Sequence, residues 1–222
     1  MIAICTGFWD ANQFSKSFSR HYTEADVDAL YRSFARHLTV PFRLICWSEK
    51  ERSYSEPIEQ RRFRPEALRN GAPHYGSMTQ LYELNEPMIL CGLDTIAVGN
   101  CDHLAAYCIG ADKPAAPMDP FKPETVCNGV VLVPGGCKWM WEQGQYVSND
   151  MDWIRDLYAN KRLATIDSLF PGQVVSYKGH VRKTGLTADT RIVYFHGEHK
   201  PHELPHVGWI DRHWQHRIKE SA

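Results

Sequence analysis

The sequence predicts one α/β domain with a mostly parallel central sheet flanked by helices. Residues 2–47 read as strand, helix, strand, the pattern of a parallel βαβ unit. Short apolar runs of strand length recur down the rest of the 222-residue chain. No internal repeat, low-complexity tract or linker divides it, so a single domain over 1–222 is expected.

Ile2 to Thr6 is an apolar run closed by Gly7 and reads as a buried first strand. Thr23 has the chemistry of a helix N-cap, with Asp26 three residues on as its capping-box partner. Val27, Leu30, Tyr31, Phe34 and Leu38 then recur at helical spacing and give one apolar face. Pro41 stops that helix, and 42–47 form a second strand. Residues 48–75 are polar and contain Pro57, Pro65 and Pro73, so they read as a loop with one short strand near Ile58. A short helix is expected over 78–84.

The stretch MILCGLDTIAVGN, residues 88–100, gives a strand at 88–91, a turn at Asp94 and a second strand at 96–98. Pro114, Pro117, Pro120 and Pro123 mark 110–125 as irregular. The run 126–133 predicts a strand, 149–158 a helix capped by Ser148 or Asn149, and 174–175 and 191–195 late strands.

Charge excludes some partners. With 25 basic and 26 acidic residues the formal net charge is -1, which argues against a bulk nucleic-acid or anionic-membrane partner. No run approaches the roughly 18 apolar residues of a membrane helix, and MIAICTGFWD lacks the layout of a signal peptide. The seven cysteines form no CxxC pair, although Cys101 and Cys108 are close enough in sequence to bridge. They read as reduced structural thiols of a cytoplasmic protein.

Two places carry chemistry. Asp94 follows an apolar strand, and ligands of parallel α/β sheets bind at the carboxyl ends of strands. A buried carboxylate there must be hydrogen-bonded, paired or metal-bound, or else caps the turn through backbone N–H groups. The second is RIVYFHGEHKPHELPH, 191–206, where a strand runs into His196 and Gly197, then His199, Lys200, His202 and His206. Histidine is a metal ligand and lysine a point charge for phosphate. A four-histidine zinc loop is one reading, although the spacing matches no standard zinc motif. A polar surface loop is the other.

Several stretches, in order, resemble glycosyltransferases of the GT-A, Rossmann-like fold, the nucleotide-diphospho-sugar transferases related to the glycogenin and galactosyltransferase group. AICTGFWD resembles the first strand and nucleotide-binding loop, and LYRSFARHLTVPFRLICWSE the following helix, turn and strand. YGSMTQLYEL resembles the segment over the sugar-nucleotide pocket, LCGLDTIAVGNCDHL the metal-binding segment, NDMDWI a helix start, and LFPGQVVSYKGH a late strand. FHGEHKPHEL resembles the family's ending.

The resemblance implies that Thr6, Gly7 and Phe8 lie where the base and ribose rest. It implies that Asp94 and His196 hold Mn²⁺ or Mg²⁺, with Leu93 as the residue between the two family aspartates and Lys200 on the diphosphate. Gly92 stands where the family has its first metal-binding aspartate, and Asp102 or Asp119 is available to compensate. Gln80 stands at a usually basic position. Asn128 falls in an altered N-S-G motif and Gly197 in the late loop, while Met151 replaces a usual glutamine. Asp150 is the acid that faces donor sugar or acceptor, although an acid in a first helical turn also simply complements the helix dipole. Trp9, Trp139, Trp141 and Trp209 read as core more than as sugar platforms.

The function implied is transfer of sugar from a nucleoside-diphosphate sugar, expected to be UDP-linked, to a sugar, lipid or protein acceptor. The resemblance leans towards retention at the anomeric carbon. Gly92 supports a rival reading, a non-catalytic nucleotide-sugar binding protein.

Overall fold

Side-chain alternation along the strands builds two cores at once. The computed structural model describes residues 1–214, so the span predicted to 222 runs past them. In chain order the strands are β1 (Ile2–Gly7), β2 (Phe42–Ser48), β3 (Ile58–Arg62), β4 (Met88–Cys91), β5 (Thr95–Ala97), β6 (Ala115–Ala116), β7 (Met118–Asp119), β8 (Lys122–Val126), β9 (Val130–Val133), β10 (Ala164–Thr165), β11 (Val174–Ser176) and β12 (Ile192–Tyr194). The first four α-helices are α1 (Glu24–Ala35), α2 (Asp102–Gly110), α3 (Trp139–Gly144) and α4 (Asp150–Ala159).

Seven strands form the main sheet in the order β10-β6-β9-β4-β1-β2-β3. Its pairs are parallel except the two that β9 makes, with β4 and β6. Ile2, Ile4, Leu44, Cys46, Ile89, Cys91, Val130 and Leu132 face one side and pack with α1, α2 and the terminal helix Gly208–Trp214. Ala3, Cys5, Ile45, Trp47, Met88, Leu90, Val131 and Val133 face the other and meet α3, α4 and a 3-10 helix, Tyr75–Leu84. Both faces are covered, so the strands read as continuous apolar runs. This is the expected α/β class with its mostly parallel sheet.

The predicted α1 is present with its cap: Asp26 Oδ2 accepts from the Thr23 backbone N–H at 2.7 Å. Asn149 is the cap of α4, accepting from Met151 N–H at 3.1 Å. Other expectations change. The strand predicted over 126–133 is broken at 127–129, because β8 folds back on β7 while β9 inserts between β4 and β6. The proline-rich 110–125 is not wholly irregular, since β6, β7 and most of β8 lie in it: Pro114, Pro117 and Pro120 fall outside the strands and Pro123 lies in the edge strand β8. The 78–84 helix is a longer 3-10 helix that starts at a His74 cap and stops at Asn85 in the left-handed region, φ 59°. All seven cysteines are buried free thiols, so Cys101 and Cys108 are not bridged.

A second sheet, β11-β12-β5, positions the site. Tyr194 of β12 pairs antiparallel with Thr95 of β5, and the Phe195 N–H reaches the Asp94 carbonyl at 3.1 Å. The register therefore sets the Asp94 turn beside the loop that begins at His196, from distant parts of the chain.

Candidate functional site

At the carboxyl ends of β1 and β4 the chain encloses a cavity of about 720 Å³. Gly7, Phe8, Gly92, Leu93, Asp94, Asn128, Asp150, His196, Gly197 and Lys200 all line it. Two predicted residues do not. Thr6 is 0 % exposed within β1, and its hydroxyl is buried with no hydrogen-bond partner, short of the strand end that Gly7 and Phe8 reach. Gln80 is buried on the far side of the 3-10 helix. It accepts from Arg64 N–H at 2.9 Å and lines a smaller polar pocket with Arg61, Arg62, Arg64 and Glu83.

Asp94 is the hub. It sits in the turn between β4 and β5, 8 % exposed, and its Oδ2 takes both the Lys200 ammonium and the Tyr22 hydroxyl, the latter at 2.8 Å. Burial and the Asp94 charge together push the Tyr22 phenol well above its usual pKa. The other carboxylate oxygen turns over Gly92, where a Cβ would lie 2.7 Å from Asp94 Oδ1. The glycine thus leaves room into which the Asp94 carboxylate folds.

Lys200, 3 % exposed, is delivered by a tightly turned loop. Gly197 and His199 both have left-handed backbone, φ 66° and 68°, and the Lys200 N–H donates to Glu203 Oε2 at 2.8 Å. Its ammonium also lies 5.0 Å from the Phe18 ring centroid and 5.8 Å from that of Tyr22.

His196 shares the cavity wall but points its Nε2 at the Ser176 hydroxyl, 3.0 Å away, while that oxygen accepts from Gly179 N–H at 2.9 Å. Burial holds its pKa below the ordinary imidazole value, partly offset by Asp119 and Asp94.

Asp150 opens α4 and takes a 2.5 Å hydrogen bond from Asn128 Nδ2. Burial raises its pKa to about 6, against the lowering effect of that hydrogen bond. Asn128 reaches it from the break between β8 and β9. Gly129 there lets the Tyr194 ring pass, since a Cβ would come within 2.3 Å of it.

The side chains here fall short of the three-ligand set that the resemblance implies for Mn²⁺ or Mg²⁺. Among the described residues no group of three His, Cys, Asp or Glu side chains could hold an ion. Only Asp94 and His196 remain of the implied set, and each commits one atom to a protein partner, Asp94 Oδ2 to Lys200 and Tyr22 and His196 Nε2 to Ser176. Neither compensating acid is free. Asp119 binds Arg155 at 2.8 Å and Asp102 accepts from Thr39 N–H at 2.8 Å. The four-histidine zinc loop fails as well, because His199 meets Arg182 and His202 meets Asp26.

Sequence reasoning missed Lys16, Phe18, Tyr22 and Arg69, which also line the cavity, as does Tyr75 of the YGSMTQLYEL stretch. Their only signal is a cluster of aromatic and basic residues before α1 and before the 3-10 helix, with no fixed spacing. Trp9 lines the cavity edge-on to Phe63 and Tyr75, whereas Trp139 and Trp141 pack one core and Trp209 the other.

No protein-family model matches the chain, and neither does any curated protein. Solved structures do. The galactosyltransferase LgtC in complex with donor and acceptor sugar analogues superposes with a TM-score of 0.62 at 12% identity, over 96% of this chain and 94% of that one. The glycosyltransferase GlyE of Streptococcus pneumoniae TIGR4 gives 0.61 at 11% identity, over 90% of this chain and 55% of its own. The bifunctional glycosyltransferase WbbM gives 0.57 at 13% identity, over 90% and 46%. The chain has the GT-A fold shared by these glycosyltransferases.

Proposed function

We propose that this protein transfers a sugar from a nucleoside-diphosphate donor, a UDP-sugar, to a sugar, lipid or protein acceptor. The observation that carries the reading is the convergence of Asp94, Lys200, Asn128 and Asp150 on one cavity at the carboxyl ends of the sheet. In LgtC, the similar fold holds donor and acceptor sugar analogues.

In this reading the base and ribose rest against Gly7, Phe8 and Trp9, and the diphosphate meets Lys200. During transfer the bond from the anomeric carbon to the β-phosphate oxygen breaks, and its electron pair leaves with the nucleoside diphosphate. A new bond forms to the acceptor oxygen, whose proton passes to the departing phosphate or to solvent. Lys200 stabilises the charge that grows on the leaving group. Asp150, oriented by Asn128, presents a carboxylate to the sugar and favours positive charge developing at the anomeric carbon. A cytoplasmic location fits seven unbridged thiols, and among the described residues no helix is long and apolar enough to cross a membrane.

A panel of UDP-sugars, assayed for UDP release with and without simple sugar acceptors, tests this. Release from one donor, abolished by Asp150→Asn, supports transfer. Binding of UDP without release from any donor supports the second reading, a non-catalytic nucleotide-sugar binder, which Gly92 favours.

A further inference from the structure

We propose that the chain supplies its own cation for the donor diphosphate: Lys200, assisted by Lys16 across the Phe18 ring, takes the place of a divalent metal ion. This rests on the reading of the cavity as a nucleoside-diphosphate site. Three observations carry it.

First, the Lys200 ammonium sits on the carboxylate where an ion would sit. Seating an ion on that oxygen, Oδ2, requires displacing a buried ammonium, 3 % exposed, and the Tyr22 hydroxyl. The displaced Lys200 then has no described carboxylate partner in its enclosed position, and an unpaired buried charge is costly.

Second, the Asp94 carboxylate has turned into the room over Gly92, at 2.7 Å from the Cβ a side chain would need there. The room that Gly92 leaves and the Lys200 ammonium thus meet the two oxygens of one carboxylate. One carboxylate is left, and one ammonium neutralises it.

Third, positive charge is in surplus around the cavity. Lys16 and Arg69 line it, and among the described residues neither has a carboxylate partner. The Lys16 ammonium lies 5.9 Å from the Phe18 centroid and 5.8 Å from that of Tyr75, so two ammonium groups rest against the one Phe18 ring. Asp94 offsets Lys200 but no described carboxylate offsets Lys16, so net positive charge remains beside the ring for an anion to meet. A diphosphate supplies that anion, and it meets Lys200 through the ammonium hydrogens that Asp94 does not use.

The test is a calorimetric titration of UDP into the full chain, once in EDTA and once in excess Mn²⁺. The proposal predicts dissociation constants within about threefold of each other, a difference under about 0.7 kcal/mol. Lys16→Ala, an exposed position, should weaken UDP in EDTA by about tenfold with an unchanged melting temperature. Lys200→Arg should retain metal-free binding, which keeps the test open if Lys200→Met fails to fold. Binding of UDP only with Mn²⁺ overturns the proposal and leaves the nucleotide site standing. Absence of UDP binding in both buffers overturns the nucleotide site and the proposal together. An unchanged affinity in Lys16→Ala overturns the role of Lys16.

Discussion

Lys200 and Asp94, 106 residues apart, form a buried ion pair that ties the β4–β5 turn to the loop after β12. The pair joins the two segments that the sequence marks as chemical, and the Phe195 N–H to Asp94 carbonyl bond holds their backbones in the same register. It is also the electrostatic centre of the cavity, since Tyr22 and the aromatic ring of Phe18 meet the same two groups.

Breaking the pair from one side strands a charge. Lys200→Met should destabilise the fold by about 3 kcal/mol. The double variant with Asp94→Asn should recover more than half of that loss, because no uncompensated charge remains. Urea denaturation of the two variants against wild type reads both effects, and an additive double mutant contradicts the coupling.

Gly92→Asp places a second carboxylate beside Asp94, with only one ammonium between them. Without metal the variant should lose roughly 1–2 kcal/mol, from like-charge crowding at the 2.7 Å approach. With Mn²⁺ it should regain stability, since two acids then converge on the ion. Melting temperatures with and without Mn²⁺ report this, and a variant indifferent to the ion contradicts the geometry assigned to residue 92.

Asp150 has a pKa raised to about 6 by burial, against an ordinary carboxyl value of 3.8. The protonated form is favoured in the folded state, so this group's contribution to stability is full below pH 4 and is lost as pH rises through 6. Asp150→Asn should therefore be more stable than wild type at pH 7, by about 1–3 kcal/mol. The difference should vanish at pH 4. Equal stabilities at pH 7 contradict the burial of this carboxyl, while loss of sugar transfer in the same variant separates function from folding.

Gly129 makes room for Tyr194. A Cβ there meets ring atoms at 2.3 to 2.8 Å, so Gly129→Ala must move the ring or the turn that carries Asn128. A cost of about 1–3 kcal/mol is expected from overpacking, with weaker UDP binding as Asn128 shifts. Wild-type stability and affinity in this variant contradict the close packing.

The fold was largely legible because alternation and helix capping are local. Thr23, Asp26 and the apolar positions of α1 announce a helix by themselves, and each strand of the sheet centre is a short apolar run. The breaks were harder. The Asn128-Gly129 pair is a local turn signal for the break in 126–133, but β8 pairing with β7 and the space Tyr194 needs beside Gly129 are not local. At the site, Asp94, Asp150, His196 and Lys200 stood out as chemical residues at strand or helix ends. Thr6 and Gln80 did not reach the cavity, because which face a residue presents depends on the layer packed against it. Tyr22 and Lys16 carry no motif and become visible only when the loop before α1 lies over the β4–β5 turn.

The central claim is that the cavity binds the diphosphate of a nucleotide sugar, and an affinity series reads this most directly. Uridine, UMP and UDP would be titrated in turn into the folded wild-type chain. The predicted result is UDP binding at least about tenfold tighter than UMP, with uridine weakest, because each phosphate adds contact with the cationic wall. Uridine binding as tightly as UDP, or a folded chain that binds none of the three, would contradict it.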